Sequence, residues 1–216
     1  MILYRLSLLR YLKEKTKEVF GFSGFCKGDI FLNPALKAGR DILREGVYDD
    51  HIIHAIRHFA GREGYAACYG DLNAGFGAIA CAVAPLFKTV QLCEADDALR
   101  AVLTVNIGLK APGGGWEVHD AERTPSGPCI LRCDRATETV RQASEAVIIL
   151  QAKDALPMHF PGHDIYAYGA GMDKTRPFLT LWRLLTQGYV FRLRKVDSDD
   201  ADRAGDYICL PKGMAV

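Results

Sequence analysis

The sequence lacks the marks of a membrane-spanning, disulfide-bonded or polyanion-binding protein. No apolar stretch among its 216 residues reaches 18, so no transmembrane helix is predicted. It contains no CxxC pair. The seven cysteines (Cys26, Cys68, Cys81, Cys93, Cys129, Cys133 and Cys209) are odd in number and scattered, most of them in apolar runs. Paired zinc ligands and disulfide frameworks use tighter, paired spacings, so these residues read as reduced, buried thiols of a cytoplasmic protein. Neither charge sign dominates: 27 Lys+Arg stand against 26 Asp+Glu, a net charge of +1. A protein that lives by broad phosphate contact is more basic, so nucleic acid is not expected as a partner. The opening MILYRLSLLRYLKEK is not a secretory leader, because Arg5 and Arg10 interrupt its apolar region and no small-residue cleavage site follows. Internal repeats, low-complexity tracts and a GxGxxG run are also missing.

What is present is an ordinary globular composition, 49% hydrophobic and 25% charged. The length suits one domain with an appended arm. Residues 2–20 carry Leu3, Leu6, Leu9 and Leu12 at helical spacing beside five basic residues. They predict an amphipathic arm, within 1–28, that packs on its own domain, bridges a homodimer, or touches a membrane surface or partner. The remainder, 29–216, reads as one α/β domain. A helix is expected over 35–60, broken at Gly46, with Ile52, Ile53, Ile56 and Phe59 on one face and His51, His54 and His58 as surface or packing residues. Strands are expected at 65–72, 89–95, 116–119, 128–133 and 146–151, with a glycine turn opening a helix over 73–87, and helices at 96–106 and 135–144, between them. Further strands are expected at 164–169, 188–196 and 206–210, with a short helix over 178–186. Alternation of this kind predicts a mostly parallel sheet covered on both faces, and a strand-rich late half that supplies an antiparallel edge.

The chemistry concentrates in residues 68–94. Asp71, Asn73, Gly75 and Gly77 form D-x-N-x-G-x-G between the first strand of the sheet and a helix. Glycines there let a ligand approach the backbone and permit positive φ, and the mouth of such a turn is where open α/β sheets bind nucleotide-like ligands. About twenty residues on, Glu94 ends the second strand, where a carboxylate accepts hydrogen bonds from both ribose hydroxyls. The tight glycine spacing lacks the pyrophosphate fingerprint, which favours S-adenosylmethionine over a nicotinamide dinucleotide. Asp71 is then placed to face the ammonium group or its water shell.

These segments (REGVYDDHIIHAIRHF, YGDLNAGFGAIACAVA and VQLCEADDALRAVLTVNIGLK) resemble the FkbM-type branch of the class I S-adenosylmethionine-dependent methyltransferases. Tyr48 and Asp49 match the family's lead-in helix. Asp71, Ala74 and Gly77 match its glycine turn, Glu94 its ribose acid, and Asn106 the end of its second helix. The likeness covers residues 45–110 well and 116–151 loosely. The chain differs where Asn73 replaces the first glycine of the turn, Gly75 the asparagine, and Ala95 the usual proline. The family's acidic stretch after the fourth strand is here LRCDRATE, so Asp134 matches and the following Glu-Gly does not. The resemblance implies a Rossmann-like fold with a sheet of about seven strands and methyl transfer to a hydroxyl of a small molecule or sugar. It also implies a cofactor pocket lined by Asp71, Asn73, Ala74, Gly75, Gly77 and Glu94, with Asp120, after the third strand, receiving the adenine amino group.

On the acceptor side, methyl transfer needs an aligned nucleophile and in some cases a base. Residues after the fourth and fifth strands supply the candidates Asp134, His159 and His163, the two histidines lying on a loop. Asp134 and Asp154 are weaker candidates for holding magnesium or manganese. Two rivals stand beside this reading. One is a catalytically altered member that acts by binding cofactor or protein partners. The other is a nicotinamide-dependent oxidoreductase.

Overall fold

The structure is a computed structural model that describes residues 30–32, 39, 40, 42, 50–152, 160–168, 193–196 and 205–214. The expected arm, the Tyr48–Asp49 match, Asp154, His159 and the expected helix over 178–186 lie outside the described residues.

Eight strands form one sheet: β1 (Cys68–Asp71), β2 (Thr89–Cys93), β3 (Trp116–His119), β4 (Ile130–Cys133), β5 (Val147–Ala152), β6 (His163–Tyr168), β7 (Leu193–Lys195) and β8 (Gly205–Pro211). Their spatial order is β3-β2-β1-β4-β5-β8-β6-β7. Strands β1 to β5 pair in parallel, and β8 runs antiparallel between β5 and β6. This is a doubly wound, Rossmann-like sheet with an antiparallel edge, and it has eight strands where about seven were expected. Four α-helices are described: α1 (Asp50–Ala60), α2 (Ala78–Val83), α3 (Asp97–Lys110) and α4 (Glu138–Gln142).

The period-2 alternation of β5 shows how the layers form. Val147 and Ile149 join the apolar cluster that holds Ile52, Ile56 and Phe59 of α1, Ile79 and Val83 of α2, and Leu103 and Ile107 of α3. Ile148 and Leu150 join the opposite cluster, with Val140 of α4 and Phe160. Helices therefore cover both faces. β5 is apolar on both of its sides, as a strand buried in a parallel sheet must be.

Two polar joints fix the layers further. Asn106, fully buried in α3, accepts from the Phe31 amide at 2.6 Å and donates to the carbonyls of Phe31 and Phe76 at 2.8 and 2.7 Å. It thus ties residues 30–32 to the turn after β1. His51, at the start of α1, bonds Asp206 of β8 at 2.8 Å, and the Tyr168 hydroxyl donates to the His51 carbonyl. This joins α1 to the far half of the sheet, so His51 is more than a surface residue.

Candidate cofactor and acceptor site

The chain leaves β1 toward β2 and β3 on one side and, through β4, toward β5 on the other. β1 and β4 are hydrogen-bonded neighbours, so the topological switch point lies between them. Connections that diverge in this way leave a crevice at the carboxyl ends of the two strands, where ligands of open α/β sheets bind. The D-x-N-x-G-x-G segment stands at that edge.

The turn is built by glycine at two positions. Gly77, at φ +86°, caps α2, and a Cβ there would meet Leu103 Cδ1 at 2.6 Å. Gly75, at φ +57°, has nothing within 4 Å of where its Cβ would stand, so the backbone is open on that side. Glu94, nearly buried at 7% exposure, follows β2 directly. One of its carboxylate oxygens accepts the Gly75 amide at 2.8 Å and the other accepts the Asp96 amide at 2.9 Å. Asp96 in turn caps α3 through Leu99. A carboxylate carries about four acceptor positions, so these two bonds orient Glu94 without using up its capacity. An acid held against an open glycine turn fits a ribose diol.

Asp71 lies beneath the turn. It is 1% exposed, and the guanidinium of Arg132 on β4 lies 3.0 Å from its Oδ1. Its other oxygen accepts from the Tyr69 hydroxyl at 3.0 Å. Arg132 also donates to the Asn73 carbonyl at 2.6 Å and to Gln151 of β5 at 2.9 and 2.5 Å. Register explains the cluster: Asp71 lies opposite Arg132, and Arg132 opposite Ile149, so Asp71, Arg132 and Gln151 point to one face. This pairing buries the Asp71 carboxylate beneath the turn and balances its charge. Desolvation, with the neighbouring Asp71 charge, also raises the Tyr69 phenol well above its ordinary range. That proton therefore stays on Tyr69 as the donor to Asp71.

Asn73 is half-buried and donates from Nδ2 to Asp134 Oδ2 at 2.6 Å. The bond crosses the switch point and braces the carboxyl ends of β1 and β4. Ala74 lies in the same turn, its amide donating to the Cys93 carbonyl at 3.0 Å. Asp120 is exposed just beyond β3. β2 and β3 are joined there by the Glu94 amide donating to the His119 carbonyl at 3.0 Å.

His163 is not with these residues. It opens β6 instead of lying on a loop, and it pairs with Pro211, at the level of the amino end of β5. It is 5% exposed, with Nε2 bonded to the Ala146 carbonyl at 2.9 Å and Nδ1 to the Pro161 carbonyl at 3.2 Å. It therefore sits at the edge of the sheet opposite the crevice and satisfies backbone there. Among the described residues, no three His, Cys, Asp or Glu side chains come together to hold a metal. The sequence reading missed Arg132 and Gln151. Their signal was an arginine inside the buried run ILRC and a glutamine at the end of VIILQ, since a buried charge requires partners.

No protein-family profile matches the chain, and no curated protein matches it in sequence. Solved structures do resemble it. The precorrin-6y C5,15-methyltransferase of Geobacter metallireducens aligns with 86% of this chain and 95% of its own, at TM-score 0.48 and 11% identity. A precorrin 8w decarboxylase of Methanobacterium thermoautotrophicum covers 86% and 97%, at TM-score 0.46 and 9% identity. The 23S rRNA methyltransferase ErmE covers 77% and 70%, at TM-score 0.43 and 13% identity. These are likenesses of overall fold. They carry no residue's role across and do not single out the FkbM-type branch.

Proposed function

We propose that the chain binds S-adenosylmethionine at the switch point and directs methyl transfer to a hydroxyl of a small molecule or sugar. The observation that carries the reading is Glu94, whose carboxylate is held against the open Gly75 turn by two backbone amides. Glu94 would hold the ribose hydroxyls, and Gly75 leaves room for the nucleoside to lie against the backbone. Asp120, at the end of β3, is proposed for the adenine amino group. The cofactor would supply a methyl group activated on sulfur. The chain's part is to fix the donor, exclude water and align the acceptor. The acceptor class rests on the family resemblance alone.

The glycine turn runs on as Gly75-Phe-Gly77-Ala-Ile-Ala80, which a dinucleotide site also tolerates. However, α2 spans only six residues. So short a helix offers a pyrophosphate little of the terminal dipole that such sites use. Calorimetry with S-adenosylhomocysteine and with NAD separates the two. Binding of the first and not the second is expected, and the reverse overturns the proposal. Binding of S-adenosylhomocysteine without turnover across hydroxyl acceptors would instead favour the altered, non-catalytic reading.

A further inference from the structure

Helix α3 is apolar on two sides. Leu103, Asn106 and Ile107 face inward and are fully buried. On the outer side Ala98, Ala101, Val105 and Leu109 follow one another at intervals of three and four residues, and all four are exposed, Val105 at 51% and Leu109 at 55%. Residues so spaced form one row along a helix, and the solvated face of a surface helix normally carries polar side chains. The other large apolar side chains exposed among the described residues are Leu86 and Phe31. Both belong to segments held against α3. The 3-10 turn at Ala84–Leu86 packs on it, and the Phe31 backbone is bonded to Asn106. Single exposed apolar residues are ordinary, but a set gathered on and beside one helix marks a surface that something covers.

The place where the chain enters points to the occupant. At 3.6 residues per turn, Asn106 lies about 60–100° around α3 from Leu109 and Val105. The bonds between Phe31 and Asn106 therefore bring the chain in beside the exposed row. Upstream, residues 2–20 carry Leu3, Leu6, Leu9 and Leu12, then Val19 and Phe20. As a helix they would span about 28 Å, against about 21 Å for α3. The intervening residues 21–29 reach about 30 Å when extended, enough to lay the segment along the whole row. A tether this short gives an effective concentration in the millimolar range, which favours the same chain over a second copy. The segment is also basic, with Arg5, Arg10, Lys13, Lys15 and Lys17 against Glu14 and Glu18, whereas α3 opens on the exposed acids Asp96 and Asp97. Those acids suit the basic segment and oppose an anionic lipid surface.

We propose that residues 2–20 lie as an amphipathic helix along the outer face of α3 of their own chain, covering Ala101, Val105 and Leu109. The bonds between Asn106 and residue 31 then serve as the hinge pin of this arm, since they fix the point from which it folds back.

The test is hydrogen exchange of residues 2–20, read by mass spectrometry on the full chain. Their amides should exchange about ten- to hundredfold more slowly than in the same peptide free in solution, the effect of burying one apolar side chain. Val105→Glu combined with Leu109→Glu should return them to the free rate, as should Leu6→Glu combined with Leu9→Glu. Thr104→Glu, a charge at an exposed polar position of the same helix, should leave the protection in place. Slow exchange in β4 and β5 is the folding control. If the glutamates on α3 disturb it, Val105→Thr with Leu109→Gln replaces them. Free-rate exchange in the unmodified protein overturns the proposal, as does protection retained in either double variant. Protection that fades on dilution assigns the arm to a second copy, and protection that requires phosphatidylserine vesicles assigns it to a membrane; each overturns the proposal.

Discussion

Replacing Glu94 with glutamine tests the nucleoside site most directly, because one residue carries a structural and a proposed binding role of separable size. In the structure its two oxygens accept the Gly75 and Asp96 amides at 2.8 and 2.9 Å. Glutamine keeps one acceptor oxygen and turns an NH2 group toward the other amide, so one backbone donor in a nearly buried place loses its partner. That costs about 1–3 kcal/mol of stability. For a chain of this size each kcal/mol lowers Tm by about 2–4 °C, so a fall of about 2–12 °C is expected without ligand. The lost charge-assisted bond to a ribose hydroxyl removes about 1.5–3 kcal/mol of binding, or roughly 10–150-fold in Kd for S-adenosylhomocysteine. Glu94→Ala should exceed both effects, since it strands both amides and opens a cavity. The two amide bonds give this acid a share in the turn's stability beside its proposed binding role. Calorimetry and thermal denaturation of the same preparations decide the matter. Glu94→Gln with lowered Tm and unchanged Kd would show that the acid only supports the turn. Unchanged Tm would refute the hydrogen bonding from which the magnitudes are worked.

The turn's two positive-φ glycines should respond differently. Gly77→Ala drives a Cβ to 2.6 Å from Leu103 at φ +86° and should destabilise by about 1–3 kcal/mol or more. Gly75→Ala meets no atom, so it should cost only the left-handed penalty of about 1–2 kcal/mol yet weaken S-adenosylhomocysteine binding; equal losses of stability in the two variants would contradict this. Arg132→Met leaves Asp71 buried and unpaired, which should cost about 3–5 kcal/mol in urea denaturation. Adding Asp71→Asn should recover part of that, and strict additivity of the two changes would show that the pair is not coupled. Burial raises the thiols of Cys81, Cys129 and Cys209 to about 12 and Cys133 higher still. Their thiolate fraction at pH 8 is therefore negligible, and a thiol-specific reagent followed by peptide mass spectrometry should find all four unlabelled until denaturant is added. Rapid native labelling of any one of them would refute its placement.

The parallel half of the fold was legible because its strands announce themselves as short apolar runs closed by acids and glycines. TVQLC, WEVH and VIILQ fall within a residue or two of the observed strands. Helix boundaries were poorer. The helix opened by the glycine turn was expected to run to residue 87, yet Pro85 has no amide to donate and the chain tightens into a 3-10 turn at Ala84–Leu86. At the edge, the expected strand over 188–196 contains β7, which is shorter than that run, Leu193–Lys195; the count of about seven strands came from the family resemblance, whereas the runs expected from the sequence overlap all eight. At the site, Glu94 and the glycine turn were readable from spacing. The Arg132–Asp71 pair was not, because it depends on which strand lies beside β1. The run of residues leads from β1 to β2, and only the topology brings β4 to its other side. His163 was misplaced for a related reason: a histidine after PG looks like a loop residue, and its bond to the Ala146 carbonyl forms only once β8 has joined β6 to β5.

The position of β8 also has a consequence for the order in which the molecule is made. This strand, residues 205–211, is the inner neighbour of both β5 and β6, although it leaves the ribosome after either. Synthesis proceeds at about 5–20 residues per second, so the interval between β5 and β8 lasts on the order of several seconds. During that time the flank of β5, with its run Val147, Ile148, Ile149 and Leu150, waits without its eventual neighbour, and β6 has no route into the sheet. The nascent protein therefore carries an open, strongly apolar strand edge until residues 205–211 emerge. Its yield in a cell is set by what shields that edge during those seconds as much as by the stability of the finished sheet.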